Sequence, residues 1–250
     1  MTYINHDDCL FRQANGVSGV MADKKRILIY GDSNSWGYLD DGSGIRSADA
    51  WPHIMAQRLH DDAKIDCHII EEVLPGRTSA YPDPQEGPEF NGLPYLRPAL
   101  LSAAPIDMVL IMLGTNDYKA RFEASADNIA DNLIQLVKIA RRSQTGKGKW
   151  REGSAPLVGL ISPAILGEKT TDPSWIRHQE WIGGFDKSQQ LYPALFQRIS
   201  ALDDEGVFLL NAADIITPSS RDPIHWAQAE HLKMGDYIAK SIAPILTSIG

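Results

Sequence analysis

Nucleophilic acyl transfer needs at minimum a hydroxyl, an imidazole and a carboxylate. The chain carries all three in two stretches far apart, Gly31-Asp32-Ser33-Asn34 and Asp222-Pro223-Ile224-His225. Ser33 follows the apolar run Ile27-Leu28-Ile29-Tyr30, which reads as a buried strand. The serine therefore sits at the carboxyl end of a strand, where open α/β sheets present their ligands. Asp222 lies three residues before His225, close enough to bond the ring nitrogen turned away from the serine. Of the seven histidines, His225 alone has an acidic residue at that offset. Each feature alone is modest, because a serine after a strand is commonly a helix N-cap and Arg221 beside Asp222 could form a surface ion pair.

Two further strand ends add to the set. Gly114-Thr115-Asn116-Asp117 follows the apolar run 108–113, and Gly76 follows another run in Leu74-Pro75-Gly76-Arg77-Thr78. Gly, Asn and Asp are ordinary turn residues, yet the Asn116 amide could also donate to an oxyanion. The backbone N–H groups of Ser33 and Gly76 would complete such a hole, since glycine lets the main chain approach closely. Four separate sites, each carrying the group the chemistry requires, weigh towards function.

In that order, Ser33, Gly76, Asn116 and His225, the blocks resemble the SGNH hydrolases, the GDSL-like esterase superfamily, over about residues 26–245. The resemblance implies Ser33, Asp222 and His225 as catalytic residues and Ser33, Gly76 and Asn116 as the oxyanion hole. The stretches 71–78 and 111–117 are similar to a bacterial arylesterase/acyltransferase subgroup. That subgroup implies short acyl chains, transfer to alcohols as well as water, and a homo-oligomer, up to an octamer. Three positions depart from the pattern: Asn34 in place of leucine, Leu74 in place of an asparagine two residues before the glycine, and Pro223 in place of a glycine. The proline restricts Asp222 towards extended backbone, so triad geometry is where a departure would tell most.

The elements that must position these groups can be read from periodicity. Strands are expected at 26–31, 65–73, 106–113, 156–162 and 206–210, and helices at 49–60, 125–142, 188–203 and 227–247. Near-continuous apolar strands suit a parallel sheet covered on both faces. Alternation of strand and helix predicts an α/β fold, a three-layer α/β/α sandwich with a central, mostly parallel five-stranded sheet of flavodoxin-like type. Residues 76–98 and 163–187 lack periodicity and carry aromatics, and are expected as loops walling the active-site edge or as oligomer contacts. Asp32 and Asp117 are expected to hold turns through nearby backbone N–H groups. Trp36, Tyr38 and Trp226 flank the nucleophile and base in sequence and are the substrate-pocket candidates. His53, His68 and His231 receive no role.

Composition excludes other classes. The 250 residues are 43% hydrophobic with a formal net charge of −8, enough for one core and unsuited to a nucleic-acid surface. Cys9 and Cys67 are too few for a disulfide framework, and no Cys/His group has zinc spacing. No apolar run reaches membrane-spanning length and the start has no signal-peptide pattern, so a cytoplasmic protein is expected. Met21 runs directly into the first strand, so residues 1–20 are expected to be a non-essential extension and 21–250 a single domain.

The resulting expectation is a serine esterase acting on short acyl or aryl esters through an acyl-enzyme, with no metal and no organic cofactor. Its partners would be a small ester and an acceptor water or alcohol, with neither nucleic acid nor membrane. A carbohydrate acetylesterase or lysophospholipase-like deacylase on the same triad is the alternative within enzymes. A non-catalytic flavodoxin-like binding module is the alternative outside them, although no G-x-G-x-x-G pattern follows any strand.

Overall fold

The computed structural model describes residues 24–249. The expected 1–20 extension lies outside the described residues. Five strands, β1 (Lys25–Gly31), β2 (Cys67–Val73), β3 (Met108–Met112), β4 (Leu157–Ser162) and β5 (Val207–Asn211), form one sheet. All pairings are parallel, in the order β2-β1-β3-β4-β5. The sheet is thus wholly parallel, and the sandwich architecture expected from periodicity is the observed one.

Side chains alternate across the sheet and sort the helices into two layers. Ile27 and Ile29 of β1, with Met108, Leu110 and Met112 of β3, pack against α2 (Trp51–Ala63) and α6 (Gln228–Ser248). Leu28, Tyr30, Val109 and Ile111 face the other way, onto α3 (Gly92–Ala103), α4 (Ala126–Arg141) and α5 (Gly184–Ser200). Both faces of β3 are covered, which is why its sequence is apolar at every position. α4 starts on a capping box between Ser125 and Asn128.

Helix α3 corrects the expectation that residues 76–98 are all loop. Its prolines hid it, since Pro98 sits inside the helix, at a cost of about 3 kcal/mol relative to alanine. Burial of Leu96 and Leu100, worth about 1.5–3 kcal/mol each, offsets that cost. Asn91 caps the start by accepting from the Leu93 N–H at 3.0 Å. α5 likewise begins at Gly184, inside the second aperiodic segment.

β2 and β3 flank β1 on opposite sides, so the topological switch point lies between β1 and β3. A crevice opens there beyond the carboxyl ends of the strands. The turns after β1, β2 and β3 meet at it.

Candidate active site

The turn after β1 is built for a tight reversal into a single helical turn, α1 (Ser33–Trp36). Gly31 precedes it because a Cβ there would lie 2.3 Å from the Ser35 Oγ. Asp32 caps α1, its Oδ1 accepting from the Asn34 N–H at 3.0 Å. Burial pushes the Asp32 carboxyl up to about 7, and the negative charge of Asp117 acts in the same direction. Ser33, the first residue of α1, is thereby presented at the mouth of the crevice.

The turns after β2 and β3 bring their own groups. Gly76 has φ +89° and the Phe90 ring stands 3.0 Å from where a Cβ would be, so a larger residue is strained there. Asn116 opens a short 3-10 turn, and its Nδ2 donates to the Arg77 carbonyl at 3.1 Å. The next residue, Asp117, accepts from the Ser79 N–H at 3.0 Å and from the Ser79 hydroxyl. Burial lifts the Asp117 carboxyl to about 6 despite those donors. Arg77 braces the crevice floor, donating to the carbonyls of Gly31 and Glu72 with its guanidinium 4.4 Å from the centre of the Tyr30 ring. Asp32 and Asp117 thus hold turns as expected, Asp117 by tying two different turns together.

On the far side, His225 Nδ1 lies 2.7 Å from Asp222 Oδ2. Asp222 Oδ1 accepts from the N–H groups of Ile224 at 2.8 Å and His225 at 3.2 Å. Burial alone would raise the Asp222 carboxyl, but the His225 ring and these N–H groups hold it below its usual range. Pro223 leaves this geometry intact and anchors it, its carbonyl accepting from the Gly167 N–H at 2.8 Å.

Asn34, the departure from leucine, has a structural use: its Nδ2 donates to the Ile224 carbonyl at 3.3 Å. A backbone bridge between Leu39 and Trp226 runs beside it. The Ser33 turn and the His225 loop are therefore fastened directly to each other.

Ser33, Gly76, Asn116 and His225 line one pocket of about 280 Å³. Ser33 and His225 face it without a direct hydrogen bond between them; such contacts often tighten only when substrate binds. The N–H groups of Ser33 and Gly76 donate to no other group among the described residues. Both aperiodic segments supply walls, Glu86 from the first and Arg177 and Trp181 from the second.

Of the three aromatic candidates only Tyr38 lines the pocket, its ring centre 4.2 Å from that of His225. Trp226 is a correction: it is buried in the core between α2 and α6, because the residue after His225 points to the opposite side. Trp36 packs on Tyr38 beneath Arg46 and does not line the pocket. Trp181 lies in the second aperiodic segment, expected from its aromatics as a wall, and it does line the pocket. Sequence reasoning missed Lys119 and Arg177: Lys119 had a signal, standing one turn beyond Asn116, whereas Arg177 carries none within that wall. A larger cleft of about 700 Å³ between residues 165–172 and 213–220 holds none of the four blocks.

The fold and this pocket define a three-layer α/β/α protein with a serine, a histidine and an asparagine gathered at the switch point of its sheet. Residues 29–227 match the GDSL-like Lipase/Acylhydrolase family. The chain belongs to that family and is a carboxylic ester hydrolase, which sets aside the binding-module alternative. A carbohydrate acetylesterase from Sinorhizobium meliloti is 32% identical with a TM-score of 0.78, covering 89% of this chain and 100% of its own. An aryl esterase from M. smegmatis is 32% identical with a TM-score of 0.76, covering 87% and 98%. A second carbohydrate acetylesterase family member from S. meliloti is 27% identical with a TM-score of 0.75, covering 89% and 97%. No curated protein matches the chain. Among the described residues no helix is long and apolar enough to cross a membrane.

Proposed function

We propose that the protein is a serine esterase for short acyl or aryl esters, working through an acyl-enzyme. Ser33 attacks the ester carbonyl as His225 takes its proton, and Asp222 holds the imidazole tautomer and stabilises the imidazolium. The tetrahedral oxyanion sits among the Ser33 and Gly76 N–H groups and the Asn116 side chain. His225 returns the proton to the leaving alcohol, and water or a second alcohol releases the acyl group. The observation that carries this reading is the 2.7 Å Asp222–His225 contact beside a pocket that Ser33 and His225 share. The pocket's small volume supports a short ester over a polymer.

The 32% identity to a carbohydrate acetylesterase supports a second reading, deacetylation of sugars by the same groups. A homo-oligomer, the octamer included, rests on the resemblance to the arylesterase subgroup, and a cytoplasmic setting completes the proposal. Ser33→Ala is expected to abolish hydrolysis of phenyl acetate and labelling by a fluorophosphonate. Retained turnover in that variant would remove Ser33 as nucleophile.

A further inference from the structure

The pocket contains a charge that the proposed mechanism does not use. Lys119 has only 6% of its side chain exposed, yet it lines the same pocket as Ser33, Asn116 and His225. Its N–H donates to the Asn116 carbonyl at 3.3 Å, so ammonium and oxyanion donor leave one turn. Nζ makes no hydrogen bond among the described residues; the carboxylate near it is Glu180, whose Oε1 is 3.6 Å away. That oxygen already accepts from Arg121 at 3.2 Å. The other, Oε2, is held by Arg177 Nε and Nη2, each at 3.0 Å. Arg121 in turn grips buried Asp83 through two nitrogens, at 3.2 and 2.6 Å.

Three cations, Lys119, Arg121 and Arg177, thus share two carboxylates, Glu180 and Asp83. One positive charge is left over, and it faces the pocket. Glu86 is the remaining charged residue on the lining; it is exposed and makes no ion pair among the described residues, so water solvates it. An ammonium with little access to water and no hydrogen bond from the protein is costly, and such a group in a reactive cleft marks where a ligand charge completes the set. The net charge of −8 would repel anions at long range, so any preference for them must be local.

We propose that the pocket selects esters that carry a carboxylate, which Lys119 binds with Arg177 at its outer edge. This rests on the serine-esterase reading above. The group recognised is a small organic anion attached to the ester, on its acyl or its alcohol side.

The test compares matched pairs by kcat/KM: monomethyl succinate against methyl butyrate for the acyl side, and 3-acetoxybenzoate against phenyl acetate for the alcohol side. The charged member of at least one pair should be favoured about tenfold at low ionic strength, as a charge-assisted hydrogen bond implies. Salt should shrink that ratio, Lys119→Met should bring it close to one, and Glu86→Gln should raise it. A ratio of one or less in both pairs, or a ratio unchanged in Lys119→Met, overturns the proposal. If Lys119→Met does not fold, the salt series and Glu86→Gln on the folded enzyme decide, and indifference to both overturns it. Failure of the underlying reading shows separately, as wild-type inactivity on the neutral esters or retained activity in Ser33→Ala.

Discussion

Two aspartates flank the site, and their environments pull them in opposite directions. Asp32 stands beside Ser33 and Asp222 beside the His225 imidazole, and both are largely removed from water. Asp32 meets one backbone N–H and the like charge of Asp117, and burial carries its carboxyl to about 7. Asp222 meets an imidazole and two N–H groups, and is held low in spite of burial. Burial acts on both; the partner decides the outcome. The aspartate beside His225 is thus suited to remain an anion and stabilise an imidazolium, while the one beside Ser33 is suited to shape a turn.

The sharpest way to break that contrast is at Asp222. Asp222→Asn should lower kcat on phenyl acetate by about 10⁴-fold, since the wrong imidazole tautomer would then be favoured; a loss below tenfold would equate it with Asp32. Asn116→Ala should lower kcat by about 10²–10³-fold with little change in KM, as loss of an oxyanion donor requires. An effect on KM alone would reduce Asn116 to a brace for the Arg77 carbonyl. Asn34→Leu removes the tie between the two regions and should cost about 1 kcal/mol of stability, read by urea denaturation. An unchanged midpoint would show that the Leu39–Trp226 bridge alone suffices.

The smallest effect concerns pH. The folded Asp32 carboxyl sits above its free value of 3.8, at about 7, so the native state holds a proton that the unfolded chain has lost. Its contribution is present below 3.8 and is lost as pH rises through about 7. Asp222 has the opposite sign, stabilising above its unfolded value and failing as pH falls through its lowered one. Asp32→Asn should therefore flatten the decline of Tm between those two pH values. An unaltered slope would assign the decline to Asp117 or other groups.

Much of this was legible because the chemistry-bearing residues directly follow apolar runs. A run such as 108–113 announces a buried parallel strand, and the residue types after it, Gly114 to Asp117, then stand at the crevice. Gly76, Asn116 and His225 share the pocket with Ser33 on those grounds. Trp226 was misread because adjacency to His225 in sequence says nothing about which side its ring takes. α3 was missed because local propensity penalises Pro98 while the compensation from Leu96 and Leu100 is tertiary.

Residue order alone determined which strands form, that both their faces are covered, and which groups stand at their ends, because apolar periodicity and turn chemistry are local. Tertiary structure decided what those groups meet. Asn34 reaching Ile224, Asp117 holding Ser79, and Lys119 sharing Glu180 with two arginines are contacts between stretches far apart in the chain. Burial and partner charge are summed over neighbours that only the packed layers bring together, so no local pattern encodes them.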